Sequence, residues 1–329
     1  MKQIPVLIMT YLREKNTFKI LDILRKIKYK NIYLFNDGLI TKKDQKKINQ
    51  KNIFVSNDGL VNRTKINQQD KYIHQTFRKR INKYKKKYKI KVIMPKRNLH
   101  HRFAQPYALS KVFKKYSEVI VLEDDTIPNK SFFKFCSQLL IKFRNDKRIS
   151  IISGNNFLNY KNFKRRNNDS YFFSKFTTTW GWATWKDRWK DSFDINMNDW
   201  PKVKKEGWMK DILLNDKSEK FLSKYLHRRF KLIDQDWDRA WQFGCLINGR
   251  LTIFPCKNLI TSVGQDEFAT HKNPKKWDRL PLEEMKFPLK HPKIIVADNL
   301  VDNFLTKEGF SKPDIIYRIK NKIRKYLLS

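Results

Sequence analysis

Three adjacent carboxylates, Glu123, Asp124 and Asp125, follow the apolar run EVIVL at 118–122. Side by side they repel one another, and a bound cation relieves that repulsion. Hard oxygen ligands at a strand end suit Mg²⁺ or Mn²⁺, which commonly bridge a protein carboxylate to a diphosphate. An acidic turn capping the next helix is the plainer reading. A second acidic group, Asp234, Asp236 and Asp238, alternates through IDQDWDRAW. Beside Trp237 and Trp241 it suits a general base in a sugar pocket, where partial desolvation raises a carboxyl pKa. It equally suits the N-terminus of a helix, where Asp favours the dipole. In Trp180-Gly181-Trp182, glycine permits close backbone approach and the flanking indoles can wall a ligand or pack in a core. His271, after Gly264 and the pair Asp266-Glu267, is placed to touch a metal or phosphate, although a lone histidine is more often structural.

Such groups act together only if the fold brings them to one edge. The run IPVLIM at 4–9 reads as a buried strand, and residues 17–28 as a helix capped by Asn16 or Thr17. Strands are expected at 31–35, stopped by Asn36-Asp37-Gly38, and at 89–94 and 118–122, with a helix over 104–116 between the last two. Further strands are expected at 149–152 and 251–254. Strands alternating with helices imply an α/β fold, a mostly parallel sheet flanked by helices. Ligands of such sheets sit beyond the carboxyl ends of the strands, where the polar clusters at 10–13, 36–38 and 123–125 fall. YLFNDGLI at 33–40 and FVSNDGLV at 54–61 look alike, and two copies are too few for a solenoid.

The chain has 329 residues, enough for one large domain, and 40% hydrophobic content argues against disorder. No apolar run reaches the roughly 18 residues of a membrane span, and 4–9 is too short for a signal-peptide core. Cys136, Cys245 and Cys256 have no C-x-x-C spacing and read as reduced thiols. The net charge of +40 can attract nucleic acid, anionic lipid or phosphate-bearing substrates. A Lys-, Asn- and Ile-rich, Gly-poor composition accounts for part of it. Residues 77–91 carry nine basic residues and no acid, a solvated face or a patch for membrane or phosphates. The tail 311–329 has apolar residues on one helical face and six bases largely opposite, the pattern of an amphipathic helix on an anionic membrane or docked on the domain.

In their order, PVLIMTYLR, YLFNDG, VIVLEDDTIPNKSFFKFC, TTWGWATW, IDQDWDRAW, LTIFP and NLITSVGQDEFATH resemble GT-A-fold nucleotide-sugar glycosyltransferases, most nearly bacterial relatives of N-acetylglucosaminyltransferase I. The likeness covers 1–300, leaving 301–329 as a basic C-terminal amphipathic extension. It implies a GT-A (Rossmann-like) sheet and a nucleotide-sugar site in which Thr10 and Arg13 meet the nucleotide and Asp37 meets the uracil or ribose. Glu123, Asp124 and Asp125 correspond to the metal and donor motif, with Asp125 the direct ligand of Mn²⁺ or Mg²⁺. Trp180, Gly181, Trp182 and Trp237 correspond to the acceptor side, and Asp236 or Asp238 to the catalytic base. His271 falls at a motif position without a defined role. The 54–61 copy, the basic stretch at 77–91 and Gln265-Asp266 depart from the pattern and leave the acceptor open.

The expected activity is inverting transfer of a hexosyl or N-acetylhexosaminyl group from a UDP-sugar to a glycan or lipid-linked acceptor, in cell-surface polysaccharide or lipopolysaccharide synthesis. The expected location is cytoplasmic and peripheral, at the inner face of the cytoplasmic membrane. A nucleic-acid-binding protein would cluster its bases with aromatics, whereas here the aromatics cluster with acids. A sugar-nucleotidyltransferase would need a glycine-rich phosphate loop after the first strand, and TYLREKNT has no glycine.

Overall fold

The computed structural model describes residues 3–39, 68–158, 163, 165, 167–213, 215–264 and 280–308. Strand β1 (Val6–Thr10) is central, with Val6, Leu7 and Ile8 fully buried. An apolar run buried on both faces is what an interior parallel strand requires. It pairs in parallel with β2 (Ile32–Asn36) and with β4 (Glu118–Glu123), and β3 (Ile90–Ile93) continues the sheet beyond β2. Beyond β4 come β8 (Trp182–Trp185), β6 (Ile149–Ser153), β9 (Leu251–Pro255) and β7 (Tyr171–Ser174). β7 and β8 run against their neighbours, so the eight-stranded sheet is mixed and mostly parallel. A separate ribbon pairs β5 (Thr126–Pro128) with β10 (Ile260–Ser262).

Side-chain alternation divides the core. Val6, Ile8, Leu34, Ile120 and Leu122 meet α1 (Glu14–Lys26), α2 (Gln68–Tyr84) and α4 (Lys130–Lys142) through Leu21, Phe77 and Phe135. Leu7, Phe35, Val119 and Val121 point the other way, to α3 (His100–Phe113) and α9 (Trp237–Ile247). Between β8 and α9 lie α5 (Lys186–Ser192), α6 (Trp200–Glu206), α7 (Trp208–Leu213) and α8 (Asp216–Phe230). α6 to α8 and α10 (Asn299–Glu308) share a second apolar cluster with Trp200, Leu222, Leu226 and Val301.

Several expectations shift. α1 starts at Glu14, and Thr17 is no cap: it is buried inside the helix, its hydroxyl donating to the carbonyl of Arg13 at 2.9 Å. α3 starts at His100, ahead of the apolar periodicity that begins at Ala104. The basic stretch 77–91 divides between α2, a turn and β3. The boundary drawn at 300 falls inside α10, which is docked by buried Val301 and Leu305 and by Ser174 donating to Asp302 at 2.5 Å. The second NDG segment and the tail 311–329 lie outside the described residues. Among the described residues no helix is long and apolar enough to cross a membrane.

One close approach holds α9 in place. A Cβ on Gly244 would lie 1.5 Å from the carbonyl oxygen of Ser192, at the end of α5. Backbone cannot swing aside as a side-chain tip can, and overpacking costs about 1–3 kcal/mol even where side chains yield. Gly244→Ala is therefore expected to lower stability by at least about 2 kcal/mol with an unchanged denaturant slope, as measured by urea unfolding.

Candidate functional site

Strand register gathers the polar residues. Thr10 lies opposite Asn36, and Met9 opposite Glu123, so β1, β2 and β4 end level with one another. Asp124 turns back to the end of β1. Its Oδ2 accepts from the Tyr11 backbone N–H at 2.9 Å, and its Oδ1 from Arg13 Nη1 at 3.0 Å. Arg13 Nη1 also lies 3.6 Å from Asp125 Oδ2. The turn after β4 is tied by Thr126, whose hydroxyl donates to the Glu123 carbonyl at 2.9 Å and accepts from the Glu123 N–H at 3.0 Å. Burial raises the Glu123 carboxyl well above its usual range, and the charges of Asp125, Asp238 and Asp124 raise it further against the pull of Arg13.

Asp238 thus belongs to the same electrostatic group as the triplet, brought there by the first turn of α9. Asp236 is the N-cap residue of that helix, and its side chain makes no capping bond. Burial and then the charge of Asp238 raise its carboxyl, while His101 and Arg239 oppose the rise. Asp234 is engaged elsewhere, in a two-point pair with Arg228 at 2.8 and 2.9 Å.

Arg229 is a site residue the sequence reading missed. Fully buried, it donates through Nε to the carbonyl of Asp236 and through Nη2 to the carbonyl of Ile195 at 2.9 Å. It fixes the start of α9 from below. Burial, then the charge of Arg102, lower its pKa to about 10, opposed by Asp236 and Asp238. A signal was present: Arg229 continues the buried stripe of Leu222 and Leu226 on α8.

The remaining expected residues divide. The Thr10 hydroxyl is buried, donating to the Phe35 carbonyl and accepting from the Asn36 amide at 3.2 Å. It ties β1 to β2. Asp37 is also buried, its Oδ1 accepting from the N–H groups of Gly38 at 2.8 Å and Leu99 at 3.0 Å. It thereby holds the loop leading into α3, while His74 and Arg78 bond to the Asp37 carbonyl oxygen. Trp182 and Trp237 are 0% and 2% exposed and stack at 5.6 Å, with Trp189 and Trp241 around them. The open wall expected of these two indoles is corrected: they are core, supporting α9 from β8. Trp180 is half-buried against Phe157, and Gly181 adopts a φ of 63° that favours glycine. His271 lies outside the described residues.

Among the described residues no three His, Cys, Asp or Glu side chains gather to cage a metal ion. The donor set instead suits a cation that takes one protein carboxylate and fills its other positions from a ligand. Asp125 has that character, with a side chain 29% exposed where Asp124 is 8%. The chain after β10 closes over it: the Val263 N–H donates to the Asp125 carbonyl at 2.8 Å, and a Cβ on Gly264 would come 2.8 Å from Asp125 Oδ2. No protein-family model and no curated protein matches the chain.

Burial lifts the Asp37 carboxyl to about 6, against the N–H groups of Leu99 and Gly38 and the charge of Arg78. Such a group binds its proton more tightly in the fold than in the unfolded chain. Its contribution to stability is complete below about pH 4 and is lost as pH rises through about 6. The loss is at most about 3 kcal/mol. The stability of wild type relative to Asp37→Asn is expected to fall between pH 4 and 6 and to level off above, in denaturant titrations at each pH. A level difference throughout would contradict the assignment.

Proposed function

We propose that the protein is a glycosyltransferase of GT-A type. It moves a hexosyl or N-acetylhexosaminyl group from a nucleotide-diphosphate sugar, by resemblance a UDP-sugar, to a glycan or lipid-linked acceptor. The observation that carries this reading is the convergence of Asp238 with Glu123, Asp124 and Asp125 at the carboxyl edge of the sheet. Donor chemistry and a proton acceptor are needed side by side for glycosyl transfer, and two distant acidic motifs share that edge.

Asp238 is the base in this reading, because its charge bears directly on Glu123 of the triplet. Its carboxylate takes the proton of an acceptor hydroxyl as the oxygen attacks the anomeric carbon. The bond from that carbon to the diphosphate oxygen breaks, with inversion. Asp125 would hold a Mn²⁺ or Mg²⁺ ion, which when bound supplies charge for the leaving diphosphate. Arg13, pinned between Asp124 and Asp125, brings a guanidinium to the same place. Arg229 holds the helix start that carries the base. The setting that fits is cell-surface polysaccharide synthesis at the inner face of the cytoplasmic membrane.

A thermal-shift panel of UDP-, GDP- and CMP-sugars with and without Mn²⁺ tests the donor class. Asp125→Asn is expected to weaken UDP binding when Mn²⁺ is present and to leave it unchanged when Mn²⁺ is withheld. Calorimetry finding equal, metal-independent affinity for both proteins would reject the metal role. Asp238→Asn keeps size and hydrogen bonding but removes proton acceptance, and is expected to lower kcat by about 10²- to 10⁴-fold while sparing UDP affinity. Asp236→Asn is the comparison. Normal turnover by Asp238→Asn with a dead Asp236→Asn would reverse the assignment, and normal turnover by both would sink the mechanism.

A further inference from the structure

On the face of the sheet opposite α9, α1 and α2 lie side by side, with Phe18 packed edge-on against Phe77 and Tyr84 at 6.2 and 5.7 Å. A groove of about 780 Å³ opens along α1 against Arg80 of α2. Its floor is apolar, made by Phe18 and Ile23, both partly buried. Its rim is cationic: Lys15, Lys19 and Lys26 from α1, and Arg80. Two acids also line it, and both already have partners. Glu14 accepts from Arg80 at 2.6 Å, while Asp22 pairs with Arg25 at 3.4 Å and accepts from the Tyr88 hydroxyl at 3.1 Å. The three lysines are exposed and have no ion pair among the described residues. α2 extends the charge with exposed Lys79 and Lys83, and the turn after it with exposed Lys87.

A cationic rim over an apolar floor selects a partner with both characters, an anionic group joined to hydrocarbon. The three unpaired cations are all lysines. Attraction to a phosphate-studded surface needs a point charge and no fixed fork of donors, whereas fork geometry is what arginine supplies. The groove also begins at Glu14, one residue past Arg13. We propose that this groove docks the protein on a lipid bilayer, with anionic phospholipid headgroups on the lysine rim and their first carbons over Phe18 and Ile23. The inference goes beyond the transfer reading and does not depend on it, since docking needs neither donor nor acceptor. Where both hold, the carboxylate edge lies beside the membrane, in reach of a lipid-linked acceptor.

The test uses the full chain and sedimentation with phosphatidylglycerol–phosphatidylcholine vesicles, against vesicles of phosphatidylcholine alone, at low salt. A chain of this charge binds any anionic surface to some degree, so the informative comparison is between variants of equal net charge. Lys15→Glu, Lys19→Glu and Lys26→Glu together are expected to weaken partitioning by at least about tenfold, since each base near an anionic surface is worth about fivefold. Lys205→Glu, Lys217→Glu and Lys220→Glu together, on the exposed sides of α6 and α8, are expected to weaken it far less. Equal losses in the two triple variants would mean diffuse attraction and overturn the site. Ile23→Ser keeps every charge and is expected to weaken partitioning as well; an unchanged value would remove the apolar floor from the proposal and overturn it. Duplex DNA is the competing polyanion. If the groove triple variant loses DNA and vesicle affinity in equal measure, the surface reads phosphate in general and the lipid assignment fails. Circular dichroism melts matching wild type establish that each variant is folded.

Discussion

The bond between Arg13 and Asp124 holds the functional edge together. It joins the end of β1 to the end of β4 at 3.0 Å, with side chains only 12% and 8% exposed. A buried pair of this kind adds little net stability over an apolar substitute, but losing one partner leaves a charge stranded and costs about 3–5 kcal/mol. Its value is positional. With the Tyr11 N–H on the other carboxylate oxygen, both oxygens of Asp124 are engaged by the segment that follows β1. The turn that follows has to present Asp125 outward, and the strand that precedes has to turn Glu123 inward.

A chain with net charge +40 assembles a patch of carboxylates at this edge, and the surroundings explain how it is tolerated. The helices that follow β1 and β3, and the one that precedes β9, begin at the same side of the sheet. Their amino ends favour negative charge. Arg229 adds a guanidinium beneath Asp236, and Arg102 adds another close by. Both arginines bond to the carbonyl of Ile195, which makes the segment after α5 a shared anchor for α3 and α9. The four-indole core under α9 fixes the same helix from the sheet side. Rigidity at α9 therefore comes from three independent contacts, at Arg229, at the indoles and at Gly244.

Much of the sheet was legible because parallel strands are apolar on both faces and stop at polar clusters. The strands expected at 4–9, 31–35 and 118–122 recur shifted by a residue or two, as β1, β2 and β4. β7 and β8 were not legible: no helix separates them, and their aromatic sequence reads as pocket or core alike. The same ambiguity misassigned Trp182 and Trp237, since an indole that walls a ligand and one that fills a core have the same local sequence. The carboxylates were legible as residues but not as roles. Spacing shows that Asp37, Glu123, Asp124 and Asp238 follow strand ends or open a helix. Which of them bonds to backbone, which meets arginine and which stays partly open depends on partners far away in the chain.

That division of roles changes what three adjacent carboxylates mean. Read as a string, Glu-Asp-Asp promises three negative ligands. In the fold, Asp124 is neutralised by Arg13, Glu123 is pushed toward its protonated form by burial and by its neighbours, and Asp125 keeps a partly open carboxylate. Of the three, Asp125 therefore offers the most accessible carboxylate, with Arg13 Nη1 3.6 Å away. A divalent ion taking a single carboxylate would retain positive charge for an anionic ligand, whereas three ionised ligands would more than cancel it. The approach of Gly264 bears on the same point, because a larger residue there would force Asp125 to move. Within the triplet the partly open carboxylate is that of Asp125, and the bonds of Asp124 to Tyr11 and Arg13 fix the turn that carries it.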